Sequence, residues 1–165
     1  MSTDRETPVT WLSQDGHDRL QAELTALIAN RPTVATEINA RREEGDLREN
    51  GGYHAAKEEQ GKQEARIRVL QDLLRTARVG AAPDSGTVAP GTVVTVHFDE
   101  DTDDTETFLL GSREIATTTE LTVYSPESAL GHAILGARPG QTVTYTAPSG
   151  ADIKVTVTQL EPYAG

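Results

Sequence analysis

A chain of 165 residues holds one ordinary domain or two small ones, and with 36% hydrophobic and 4% aromatic residues it is lean for a single large core. The net charge of -11 argues against a nucleic-acid binder held by phosphate contacts. The absence of cysteine excludes disulfides, thiolate metal sites and thiol nucleophiles.

Residues 1–8 are polar and read as a loose end, neither signal peptide nor membrane span. Ser13 is a candidate N-cap, with Leu12 before it as a staple. Leu20, Leu24, Leu27, Val34 and Ile38 then form a heptad seam, with Arg31 at one core position and Ile28 widening the stripe. Pro32 should kink or break this helix, which otherwise runs to about Glu44.

Gly45, Asn50, Gly51 and Gly52 then interrupt helix. A second helix is expected from Gly52 or Tyr53 to about Arg78, with Ala56, Gln60, Ile67, Leu70, Leu74 and Ala77 on its seam. Two helices joined by so short a break fold back as an antiparallel hairpin. About 30 helical residues reach roughly 45 Å at 1.5 Å each. Asp46 and Glu49 lie in the break, three residues apart, and share a side if it forms one helical turn.

Residues 79–91 carry Gly, Pro and Ser without periodicity and read as a linker. The period then changes to two. Strands are expected at Val94–Phe98, Thr107–Leu110, Leu121–Tyr124, around Val143 and Tyr145, and around Ile153, Val155 and Val157. Ser125-Pro126-Glu127 reads as an N-cap with proline at the first helical position, opening a short helix that ends at Gly136. The division expected is therefore 1–80 hairpin, 81–91 linker and 92–165 globular domain. The fold class is α+β, a helical hairpin plus a small antiparallel sheet with one helix on a face. Charge separates the same halves: residues 1–80 hold 12 basic and 14 acidic side chains, residues 81–165 hold 3 and 12.

Two carboxylates offer hard oxygen ligands suited to Mg²⁺, which often takes only one or two from protein. Two alone hold it weakly, so a projecting tip with half a metal site could complete another protein's centre. The plainer reading is that Asp46 and Glu49 favour a helix start through its dipole, and spacing alone favours that reading. Asp99, Asp101 and Asp103 fit the first positions of a Ca²⁺ loop, but Asp104 and Leu110 stand where Gly and Glu are needed, so a solvated hairpin loop is expected. His17, His54, His97 and His132 lack metal-ligand spacing, and no G-x-S-x-G nucleophile motif occurs.

The string from Glu44 to Asn50, followed by Tyr53, His54, Ala55, Ala56 and Lys57, resembles the tip signature of the bacterial Gre transcript-cleavage factors, closest to the GreA type. The resemblance extends over nearly the whole chain. It implies a coiled-coil hairpin joined to an FKBP-like sheet domain that grips the rim of the secondary channel of RNA polymerase. It implies that Asp46 and Glu49 enter the channel and stabilise a second Mg²⁺ and its attacking water, so that the polymerase cleaves its own backtracked RNA. It also implies a polymerase contact at Ser125 and Pro126. Arg41 and Arg42 would lie near the displaced nascent RNA 3′ end, with a solvated basic face an equal reading. On the second helix, Lys57, Lys62, Arg66 and Arg68 read better as a solvated face, with Glu58–Lys62 and Glu64–Arg68 pairs. The protein is then expected to be a cytoplasmic monomer with no membrane partner, and a stimulator of the polymerase rather than an enzyme. The FKBP-like sheet gives no prolyl isomerase activity, because the aromatic residues are few and Trp11 lies outside that half. The alternatives are a Gre-like channel inhibitor, which generally presents more tip acids, and a coiled-coil adaptor, which needs none.

Overall fold

The computed structural model describes residues 10–46, 49–82 and 84–164. The chain divides into two units: residues from Asp18 to Thr76 form one, and the N-terminal segment through His17 joins the chain from Ala77 onward in the other. The expected boundary at residue 80 thus moves, because β1 (Trp11–Leu12) pairs in parallel with β2 (Arg78–Val79). Ser13 accepts from the amide of Gly16 through its hydroxyl, at 3.0 Å, and so opens the first helix.

The helical unit follows the heptad seams. Helix α1 (Gln14–Ala29), α2 (Arg31–Glu43) and α3 (Gly51–Thr76) bury Leu20, Leu24, Ile38, Ile67 and Leu70. Each such side chain contributes about 1.5–3 kcal/mol on leaving water. Toward the tip the seam of α3 is only half-buried at Ala56 and Gln60, as small and polar side chains require. The break expected at Pro32 is present. Regular helix is interrupted at Asn30, one residue before α2, with proline in its first turn where a missing N–H costs least. Ile28 does not widen the stripe; it is exposed. Helix α3 ends at Thr76, two residues short of the expected end, because Arg78 and Val79 leave for the strand pair with Trp11 and Leu12.

Ion pairs lock the hairpin in register. Arg31, at its seam position, reaches across to Glu64 at 2.9 and 3.0 Å. Arg66 grips Glu23 with both ends of its fork, at 2.8 and 3.0 Å. The expected Glu58–Lys62 pair forms at 3.8 Å, whereas Glu64 turns to Arg31 instead of forming the expected bond with Arg68. A planar fork facing a carboxylate across the hairpin makes two bonds where a neighbour on the same helix makes one.

The hydrogen bond from Arg66 holds the Glu23 carboxyl below its ordinary value, outweighing burial, which acts the other way. Because the folded value is depressed, the stabilisation is complete above the ordinary carboxylate pKa of 4.5 and is lost as the pH falls through the folded value. Glu23→Gln should therefore lower the melting temperature at neutral pH, by the equivalent of about 1 kcal/mol or less for so exposed a pair. The difference from the unmodified chain should vanish in acid. Melting curves followed by helical circular dichroism across that pH range check it.

The second unit is built on a five-stranded sheet of order β5-β4-β3-β7-β6. The strands are β3 (Thr92–Phe98), β4 (Asp101–Leu110), β5 (Thr122–Tyr124), β6 (Thr142–Thr146) and β7 (Asp152–Pro162). All pairs are antiparallel except β4–β5, which is parallel. Val94, Val96, Phe108, Leu110, Val155 and Val157 fill the core with Leu130 and Ile134 of α4 (Ala129–Ile134). A 3-10 turn at Arg113–Thr118, unexpected from periodicity, places buried Ile115 beneath it.

Three expectations change in this unit. The acidic run is strand, not loop: β4 starts at Asp101, and only Asp99 and Glu100 form the turn, with Asp99 at φ 51°. Asp101, Thr105 and Glu106 pair with β3 across a shift in register, the backbone pairing with β5 begins only at Phe108, and residues 101–105 are exposed, so their charges stay in water. The segment expected as linker is packed: Val88 is fully buried, and its carbonyl and amide bond to Gly136 and Ala137. Trp11, expected outside this half, is buried in it; its indole donates to the Gly80 carbonyl at 3.1 Å and its ring meets Tyr163 edge-on at 5.9 Å.

Candidate functional site

The tip is assembled where α2 runs out of helix. The amide of Glu44 bonds back to the Arg41 carbonyl at 3.2 Å, ending α2. The amide of Glu49 then donates to the Asp46 carbonyl at 3.1 Å. Asp46 and Glu49 are therefore the first and last residues of one turn closed by that bond, and both are exposed. Leu47 and Arg48, which the tip motif includes, lie outside the described residues.

Asn50 closes this turn. Its Oδ1 accepts from the Tyr53 amide at 3.0 Å, capping α3, and its Nδ2 donates to the carbonyl of Arg41 at the end of α2. Its own carbonyl takes the first helical bond, from His54 at 3.2 Å. The sequence reading used Asn50 only as a helix breaker. Its place three residues before Tyr53, with glycines between, was the available sign of a cap.

Arg41 and Arg42, in the last turn of α2, are exposed and engaged within the tip. Arg41 pairs with Glu44 at 3.3 Å, and the Arg42 guanidinium sits 5.8 Å from the Tyr53 ring centre. His54 meets the same tyrosine edge-on at 5.5 Å. Among the described residues no group of three or more His, Asp or Glu side chains is placed to hold a metal. Glu44 is taken up by Arg41, and the hard carboxylates of Asp46 and Glu49 fit a shared Mg²⁺ site completed by other ligands.

Ser125 and Pro126 lie elsewhere, on a concave surface of about 880 Å³ in the globular unit, with Trp11, Arg113, His132 and Leu135 among its lining. Ser125 does not cap the helix. Its hydroxyl accepts from the Glu127 amide at 3.0 Å, while Ser128 caps α4 by accepting from the Gly131 amide at 3.1 Å. The carbonyl of Ser125 receives both the amide and the hydroxyl of Ser128, at 3.0 and 2.7 Å. The turn is thus tied to the start of α4. On its other side, the Tyr124 hydroxyl donates to Glu106 at 2.8 Å. That bond, with burial and the Glu106 charge, pushes the Tyr124 pKa up to about 12. Sequence reasoning missed Trp11 and Leu135 here. Leu135, 45% exposed at the end of an otherwise apolar helix, offered a signal; Trp11 offered none, because its place depends on pairing with residues far along the chain.

Comparison with known proteins gives two adjoining family matches. Residues 10–79 match the family described as transcription elongation factor, N-terminal, and residues 82–162 match transcription elongation factor, GreA/GreB, C-term. The chain is 60% identical over 162 residues to "Transcription elongation factor GreA" of Mycolicibacterium smegmatis, covering 97% of this chain and 99% of that protein. It is 61% identical over 160 residues to the protein of the same name from Rhodococcus erythropolis, covering 96% and 98%. Among solved structures it is similar to the GreA factor homolog 1 (Gfh1) protein of Thermus thermophilus, with 25% identity, a TM-score of 0.41 and coverage of 93% and 99%.

Proposed function

Since the chain belongs to the GreA/GreB family of transcription elongation factors, we propose that it binds bacterial RNA polymerase, enters the secondary channel tip-first and stimulates cleavage of backtracked nascent RNA. The observation that carries this reading is the single turn that places Asp46 and Glu49 together, exposed, at the end of the helical hairpin. The polymerase remains the catalyst. Asp46 and Glu49 offer carboxylates and no nucleophile, so their part is to lend oxygen donors and orient a water molecule. Asp46 and Glu49 would help hold a Mg²⁺ ion shared with the polymerase, which would supply activation of that water and stabilisation of charge on the leaving oxygen.

Ser125 and Pro126 are the proposed contact with the polymerase rim, at a concave surface whose lining includes Trp11 and Leu135. Arg41 and Arg42 flank the acids and face the nascent RNA in this reading, Arg42 steadied by Tyr53. No helix among the described residues is long and apolar enough to cross a membrane; a cytoplasmic monomer is part of the proposal.

The test is RNA cleavage by halted, backtracked polymerase complexes with and without the protein, over a range of Mg²⁺. Faster cleavage supports the proposal. Slower cleavage would favour a channel inhibitor, and no effect on a polymerase that binds the protein would refute both.

A further inference from the structure

The hydrogen bonds of Asn50 span the tip. One carboxamide joins the last turn of α2, at the Arg41 carbonyl, to the first turn of α3, at the Tyr53 amide. The loop so closed contains both Asp46 and Glu49. Gly52 fits the same arrangement: a Cβ there would lie 3.3 Å from the Arg41 side chain and 3.5 Å from Oδ1 of Asn50, so the two helix ends meet closely where the carboxamide bridges them. A bridge across a loop of this length removes conformations that the loop would otherwise sample. Groups that must gather around one ion gain most from that restriction, because the ordering is done before the ion arrives.

We propose that Asn50 is a positioning residue: its cross-tip bond to the Arg41 carbonyl holds the Asp46–Glu49 turn in the form that receives the ion. The inference rests on the reading of the tip given above. Asn50 touches neither metal nor RNA in this scheme and acts through the backbone.

Asn50→Ser separates its two bonds. Serine keeps an oxygen for the Tyr53 amide and is a good N-cap, but its shorter side chain carries no amide to reach Arg41. Hydrogen exchange on the free protein should show the Glu49 amide exchanging about fivefold faster, the effect of one exposed hydrogen bond, with the Tyr53 amide changed by less than about twofold. In the cleavage assay the half-saturating Mg²⁺ concentration should rise about fivefold while polymerase affinity stays as in the unmodified protein. Asn50→Ala, which loses the cap too, should in addition release the Tyr53 amide. An unchanged Glu49 amide in Asn50→Ser, or an unchanged Mg²⁺ dependence, overturns the proposal. Full cleavage by Asp46→Ala/Glu49→Ala would instead sink the reading of the tip, and the hydrogen exchange result would still decide the role of the bridge.

Discussion

A chain with both Asp46 and Glu49 replaced by alanine is expected to bind polymerase as before and to lose stimulated cleavage by about 100-fold or more, the scale set by removing charged groups from a reacting centre. Both acids are exposed, and two bonds that hold the tip, from the Glu49 amide to the Asp46 carbonyl and from Asn50 to the Arg41 carbonyl, involve no atom that alanine removes. The substitution should therefore leave the fold and melting temperature intact. Loss of cleavage is then a chemical effect rather than unfolding. The single substitutions should each lose most of the activity, because two donors acting on one ion are not additive. Binding measured by competition and cleavage measured on backtracked complexes, with the same protein preparations, decide the matter. A double variant that still stimulates cleavage would end the proposed mechanism.

Gly131→Ala should fail in the opposite way. A Cβ at Gly131 would lie 2.1 Å from the Ser125 carbonyl and 2.9 Å from the Ser128 hydroxyl. Neither can be spared by a side-chain rotation: the first is backbone, and the second caps α4. The Ser125–Pro126 turn must then move off the helix, breaking the bonds by which Ser128 holds it. Overpacking of this kind costs about 3 kcal/mol, which in a unit of this size lowers the melting temperature by on the order of 15 °C. Polymerase affinity should fall with it, while the tip and its Mg²⁺ dependence at saturating protein stay unchanged. Calorimetry and the binding competition give both readings. If affinity survives the displaced turn, Ser125 and Pro126 are not the contact.

The two variants also mark what was legible beforehand. The acids, the hairpin and the two heptad seams could be read directly, since helical periodicity and a cluster of breakers are properties of neighbouring residues. So could most strands, from alternation at Val94–Phe98 and Ile153–Val157. The clash at Gly131 could not, because it depends on how the Ser125 turn folds onto the helix, whose cap is Ser128 and not the expected Ser125.

The amino-acid sequence by itself determined the helical hairpin, its proline break, the acidic turn between helices and the change to β structure after residue 91. Each of these follows from interactions within a few residues. Only the tertiary structure decided that Trp11 and Leu12 pair with Arg78 and Val79, that Val88 is core rather than linker, and that the acidic run is a strand. It also decided that one asparagine ties the two helix ends together. These depend on partners distant in the chain, or on a backbone carbonyl that every residue possesses and no side-chain pattern can advertise.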